Sequence, residues 1–541
     1  MNRSWRTSNL PAVVVLLTGA LVSGGALQAG QRRELRLAIP SEPKTFDALQ
    51  VSEQSSELIR YLTGGVLVRV NRATDQLQPE LAESWKASDG GRTVTFHLRD
   101  GLKFSDGKPL GAADVARTLN AALDPKLAAP VGDTFRTNEG NPEIRVASPR
   151  DITIHYARPK PGIDRLFDSL AIVPANAGKL PASAGPWFVE GYQPGDYIRL
   201  ARNPWYWKHD SRGRQLPYLD SIRIDIQPNR DIQLTRFLRG ELHVLENLNP
   251  ESFDRVGKAQ PQAARNLGAS LDSEFLWFNE SPGAAVPDWK KKWFTSAVFR
   301  HAVSMAMSRD DIARIVYRGH AHPALGPISP SNRFWFNPAL KPLPLNPQAA
   351  VRSLAAEGFT LGDGVLRDHD GHPVEFSLIT NTGNRSREAM AAVIQEDLRA
   401  IGMRVNLVTL DFSSLIERIT RTSQYEAGLL GLANIEIDPS AQMNVWLSSG
   451  EMHAWWPSQK TPATQWEANI DRLVLQQASE PSPELRKKAF DEVQRIVAER
   501  EPIIYLVNPD CLTAISPSLH GVQPSATPPH VLWNSEWLWL E

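Results

Sequence analysis

Few residues in this chain have the types and spacing for covalent chemistry. Ser105-Asp-Gly-Lys108 has the Ser-x-x-Lys spacing of a serine nucleophile and its lysine base. Asp106-Gly107 makes the segment a turn, however, and such a serine needs a helix start. His320-Ala-His322 could pinch a metal ion, but without a nearby cysteine or carboxylate the pair is a weak ligand set. The zinc-protease, phosphate-loop, dinucleotide and nucleophile-elbow patterns are absent. These residues point to a protein that binds rather than one that reacts, with no cofactor. An envelope hydrolase is the weaker expectation.

Binding chemistry is easier to find. Asn381-Thr-Gly-Asn384 is a loop between a predicted strand (376–380) and a predicted helix (386–401). Backbone amides at that helix start, with Arg385 and Arg387, suit a carboxylate. Arg385 is favoured over Arg387, and Asn381 joins the candidates. The loop 40–47, at the end of the first strand, places Glu42 and Thr45 where α/β proteins commonly bind ligands. Asn279 ends a compact apolar strand, Phe275-Leu-Trp-Phe-Asn279. Of the 16 tryptophans, Trp446, Trp455, Trp456 and Trp466 cluster late in the chain. One or two of them are expected in a cleft, Trp456 first, because indole faces suit sugar rings and apolar side chains.

The elements that position these residues read as mixed α/β. Val94, Phe96 and Leu98 alternate with polar residues, the period of a half-buried strand, between turns at Asp89-Gly-Gly91 and Asp100-Gly101. Glu34 to Ile39 reads as a first strand, and Ile222, Ile224 and Ile226 mark another. Met390, Val393, Ile394 and Leu398 share one helix face. Met403, Val405, Leu407 and Thr409 alternate in the strand that follows, which completes a β-α-β unit. Ser482-Pro483 caps a helix with Leu485, Ala489, Phe490, Val493 and Val497 facing in. Strands near 275–279 and 503–507 are expected to cross between two lobes and form a hinge.

The ends and the composition bound the setting. Arg3 and Arg6 precede an uncharged stretch from Thr7 to Gln31, the layout of a secretory leader, with cleavage after Ala26 or Ala29. An uncleaved anchor is the alternative. The lone Cys511 allows no intrachain disulfide and lies far from any lipid-anchor position. A formal net charge of −1 and one short basic run, Lys290-Lys-Lys292, argue against nucleic acid. A mature chain of about 510 residues exceeds one core of about 250–300.

The stretch 81–110 resembles the signature of the family 5 extracellular solute-binding proteins, the peptide- and nickel-type receptors of bacterial ATP-binding-cassette importers. Gly185-Pro-Trp187, Gly191-Tyr-Gln-Pro-Gly-Asp196, Asn203-Pro-Trp-Tyr-Trp207 and Pro217-Tyr-Leu-Asp220 resemble further elements of that family. The resemblance implies an α/β, two-lobed periplasmic-binding-protein fold with two hinge crossings and a first lobe enlarged by an extra subdomain. It divides the chain into a signal peptide (1–29), lobe I (30–273), lobe II (274–502) and a return segment of lobe I (503–541). It implies a monomeric periplasmic receptor that hands a short peptide to an inner-membrane permease and ATPase complex. Gly431-Leu-Ala-Asn-Ile-Glu-Ile-Asp-Pro-Ser440 is similar to the family's Gly-Trp-x-x-Asp-x-x-Asp-Pro segment, which adds Asn434 and Glu436 to the candidates. The family's first aspartate there pairs with a ligand ammonium in its peptide receptors, and Ile435 stands in its place. Glu436 is the substitute offered, although strand alternation turns it the other way. Ile435 and the tryptophans keep an oligosaccharide or other non-peptide solute as the alternative ligand.

Overall fold

The computed structural model describes residues 33–137, 140–175, 178–432 and 438–541. The expected leader, 1–29, lies outside the described residues.

Lobe I is built on the strand Glu34–Ile39, which pairs in parallel with Ser221–Ile226 on one side and Val244–Leu245 on the other. Its odd positions Leu35, Leu37 and Ile39 are buried, as are Ile222 and Ile224 opposite. The antiparallel strands Tyr197–Arg202 and Trp187–Gln193 extend this sheet. Trp187, Ile198 and Leu200 fill one face with Leu62 and Leu532. The other face holds Leu234, Phe237 and Val256 from the helices Arg230–Leu238 and Pro250–Ala259.

The expected subdomain is a separate four-stranded antiparallel sheet. Its hairpin joins Ala82–Ser88 to Thr93–Leu98 through Asp89-Gly90-Gly91, all three at positive φ. Glycine adopts that region without the Cβ clash other residues meet. Val94 and Phe96 are fully buried and Leu98 nearly so. They pack against Val115 and Leu119 of the helix Ala112–Leu123, so the subdomain carries its own core.

Lobe II has a sheet covered on both faces. All six residues of Ser273–Phe278 are buried. Leu276 and Phe278 enter one core with Phe294, Phe299 and Met390, while Phe275 and Trp277 enter another with Trp446 and Phe490. Covering on both sides is why Phe275 to Phe278 read as an unbroken apolar run. The β-α-β unit is Glu375–Asn381, Arg385–Arg399 and Arg404–Leu410, with the two strands parallel. One alternating residue is less covered than its neighbours, and one inward-facing assignment is corrected. Leu407 is 36% exposed because its strand lies at the sheet edge. Leu485 is 50% exposed, in the first turn of Pro483–Arg500, before the helix reaches the core.

The lobes are joined by two strands that pair with each other. The return strand, Ile503–Ile515, is thirteen residues long and longer than read. Ile503 to Val507 pair with Ser273–Phe278 in lobe II, and Asp510 to Ala514 pair with Ala264–Ala269 in lobe I. Ser270 N donates to Pro509 O at 2.7 Å, and Asn508 Nδ2 donates to Asp272 O at 2.8 Å. The crossings therefore lie at Ser270 to Asp272 and Asn508 to Pro509, not at 275–279 and 503–507. The lobe II ladder runs on past residue 502 to Val507.

Candidate functional site

Strand direction shows which loops face the other lobe. Ser273, next to the crossing, pairs with Leu432. Ala427–Leu432 is parallel to Glu375–Asn381, so Asn381 also ends on the side toward lobe I. In lobe I, Val244–Leu245 meets the return strand at Ile515 and Ala514, and Glu34–Ile39 runs parallel to it. The loop after Ile39 therefore faces lobe II. Ligands bind beyond the carboxyl ends of strands in such folds.

On the lobe II side, Asn384 caps the helix Arg385–Arg399 by accepting from Arg387 N at 3.1 Å. Gly383 N donates to Glu388 Oε1 at 2.9 Å. Arg385, in the first turn, is exposed and has no hydrogen-bond or ion-pair partner among the described residues. Arg387 is committed elsewhere. Its Nε and Nη2 donate to Glu274 Oε2 and Oε1 at 2.8 and 3.2 Å, and its Nη1 donates to Asn381 Oδ1 at 2.9 Å. Burial pushes the Glu274 carboxyl up, and the Arg387 guanidinium opposes that shift. Gly431, opposite Glu274 in the ladder, leaves room for the pair. A Cβ there would sit 2.6 Å from Arg387 Nη2 and 2.8 Å from the Glu274 carboxyl. Reading the sequence missed Glu274, although a charge immediately before the apolar run 275–278 was a signal, since a buried carboxylate needs a partner.

The other candidates are occupied locally. Glu42 accepts from Tyr192 Oη at 3.0 Å and from Gly195 N, which ties its loop to the neighbouring hairpin. Thr45 Oγ1 accepts from Asp47 N at 2.9 Å within a turn. Asn279 is fully buried. Its amide donates to Ser423 O and Tyr425 O at 3.1 and 2.9 Å, and its Oδ1 accepts from Ser281 N, so its polar atoms are taken up at the end of the strand. Asn434, Ile435 and Glu436 lie outside the described residues. Asp438 caps the turn that follows, accepting from Ser440 N at 2.9 Å, and pairs with Arg486 at 2.7 Å. Trp446 and Trp455 are buried, with Nε1 bonded to Gln442 and Glu467. Trp456 and Trp466 are half-buried against the same core.

The earlier alternatives for chemistry resolve into local partners. Lys108 pairs with Asp106, and Ser105 Oγ accepts from Ser183 N. His320 and His322 face different carboxylates, Asp254 and Asp510. Asp368, Asp370 and His372 bring ligand atoms within 4.8 Å of one another. Asp368 already accepts from the backbone of Asp370 and His372 and from Trp293 Nε1, so its oxygens serve a turn. No helix among the described residues is long and apolar enough to cross a membrane.

Two α/β lobes on a paired crossing, with polar strand ends facing each other, define a two-lobed solute receptor. A family model described as bacterial extracellular solute-binding proteins, family 5 Middle, matches residues 76–454, and the chain belongs to that family. Its members are transport receptors, not enzymes. A probable ABC transporter-binding protein of Deinococcus radiodurans is 30% identical over 403 residues, covering 68% of this chain and 66% of its own. The oligopeptide-binding protein AppA of Bacillus subtilis is 26% identical, covering 97% of this chain and 94% of its own. Among solved structures, the substrate-binding protein CtaP of Listeria monocytogenes superposes with a TM-score of 0.79 at 19% identity, covering 94% of this chain and all of its own.

Proposed function

We propose that this protein is the periplasmic substrate-binding component of an ATP-binding-cassette importer, taking short peptides between its lobes. The observation that carries the reading is Arg385, exposed and without a partner among the described residues, at the helix start on the interlobe side of lobe II. A guanidinium beside free helix amides is a carboxylate site, and a peptide brings a carboxylate. The names of relatives support it, including the oligopeptide-binding AppA and a di/tripeptide-binding protein of Pseudomonas aeruginosa. Lobe I is 30–273 with the return segment, and lobe II is 274 to about Val507. Bending at the two crossings closes them on the ligand. Its partners are an inner-membrane permease and its ATPase, and the receptor works as a monomer. An interlobe oligosaccharide loses support, because Trp446 and Trp455 are core residues.

Native mass spectrometry of the protein from a periplasmic extract tests this reading. Release of mixed short peptides, with loss of that load in Arg385→Ala, is the expected result. A single non-peptide molecule, lost from the same variant, overturns it.

A further inference from the structure

Away from the candidate site, side chains of the two lobes meet in an ion pair. Asp254, on the lobe I helix Pro250–Ala259, accepts from Arg318 Nε of lobe II at 2.6 Å. His320 Nε2, also of lobe II, lies 3.3 Å from the other carboxylate oxygen. The His320 ring meets Phe253 edge-on, with centroids 5.0 Å apart. Burial works to raise the Asp254 carboxyl, but Arg318 and His320 hold it below its ordinary value. Arg255, its neighbour on the helix, faces Asp231 at 3.3 Å instead. Among the described residues, the ion-pair partners of Asp254 both belong to the other lobe.

Arg318 reaches across from a strained turn. Its φ is +56°, and Gly319 follows at +86°. Left-handed backbone crowds an L side chain, and such strain persists where the surroundings fix it. The turn follows the helical segment Ile312–Val316, which packs against the helix Arg385–Arg399. Arg318 and Arg385 therefore move as parts of one lobe. His320 O accepts from Asp510 N at 3.0 Å, so the pair sits beside a crossing. On the ligand side, Thr382, Gly383 and Arg385 are exposed. No hydrogen bond or ion pair among the described residues joins them to lobe I, so the cleft stands open. Closure rotates lobe II about the crossings. A bond of 2.6 Å is lost once its ends part by about 1 Å more.

We propose that Asp254, Arg318 and His320 form a latch that holds the receptor open, so that ligand binding must break it. The inference rests on the lobe closure of the peptide reading, not on the ligand being a peptide. Apparent affinity is the affinity of the closed form scaled by the closed fraction. Arg318 is 51% exposed, and an exposed ion pair shifts that fraction about two- to fivefold. Spin labels at Lys44→Cys and Thr382→Cys, one on each side of the cleft, read the equilibrium in ligand-stripped protein. Cys511 is buried and stays unlabelled. Asp254→Asn severs both contacts and Arg318→Gln one, each with little change of shape. Each is expected to raise the closed fraction about two- to fivefold. The double variant is expected to gain no more than Asp254→Asn alone, because the same pair is lost. Affinity for tri-alanine should tighten by the same factor. Circular dichroism checks that the variants fold. An unchanged distance distribution in both single variants overturns the proposal, and so does a shift toward wider opening. Failure of tri-alanine to bind the unmutated protein counts against the peptide reading alone, because the distances are measured without ligand.

Discussion

Arg387 holds Glu274 through two parallel hydrogen bonds, across 113 positions of sequence, at the point where the chain has just entered lobe II. Both side chains are largely buried, at 15% and 11% exposure. Removing one partner strands the other charge, at a cost of about 3–5 kcal/mol. Arg387→Ala is expected to lower unfolding stability by that order in a denaturant titration. A Glu274→Leu/Arg387→Met double variant recovers most of the loss. Equal instability of the single and double variants would show that the pair does not matter.

Gly431→Ala pushes a methyl into that pair. Overpacking of this kind costs about 1–3 kcal/mol. The penalty should shrink when Arg387 is already alanine, because the clash partner is gone. A double-mutant cycle reads the coupling directly. Additive losses would mean that Gly431 serves some other purpose.

Arg385→Ala should leave stability within about 0.5 kcal/mol, as exposed substitutions usually do. Peptide affinity is expected to fall about ten- to hundredfold, the worth of a charge-assisted hydrogen bond. Titration calorimetry with a defined peptide separates the two effects. Amidating the peptide's carboxyl should reproduce the loss in the unmutated protein.

Asn279→Ala is expected to do the opposite. Its two donor bonds to Ser423 O and Tyr425 O disappear inside the core. Unsatisfied buried carbonyls cost about 1–3 kcal/mol. The melting temperature should drop while peptide affinity stays unchanged in a folded sample.

Two carboxyls set a pH dependence. Burial raises Glu280, beside Arg300, to about 7, and raises Glu501, bonded to Ser304, to about 7. A raised acid binds its proton more tightly in the folded state, so its stabilisation is complete below about 4.5 and is lost as pH rises through 7. Glu467 works the other way. Burial favours its neutral form, but bonds from Gln459, Trp455 and Thr464, with His453 4.0 Å away, outweigh that and hold it near 2. Its contribution is present above about 4.5 and lost as pH falls toward 2. Melting temperatures should therefore peak in mildly acidic buffer and decline toward pH 8. In Glu280→Gln/Glu501→Gln the decline should flatten, and an unchanged slope would assign it to other groups.

Local patterning was enough for much of the architecture. The strand Glu34–Ile39, the Asn384 cap and the Ser482 cap are each settled by neighbours within a few residues. So was the helix Arg385–Arg399, whose buried face is Met390, Ile394 and Leu398, with Val393 partly covered. The candidate site was legible only where chain direction alone sets position, as at the helix start that bears Arg385. Leu407 misled because an edge strand keeps its alternation but loses the layer that would cover it.

The sequence by itself determined the mixed α/β elements, which follow from periodicity and turn chemistry, and it carries motifs that resemble the family whose model matches residues 76–454. The tertiary structure alone decided which of two arginines, two positions apart, is without a partner among the described residues. Arg385 and Arg387 are equivalent as sequence, and only the partner Glu274, 113 positions away, commits one of them. The same holds for Asn279 and the tryptophans. A polar amide or an indole has the same chemistry in a core as in a cleft, and only long-range packing determines which surface it meets.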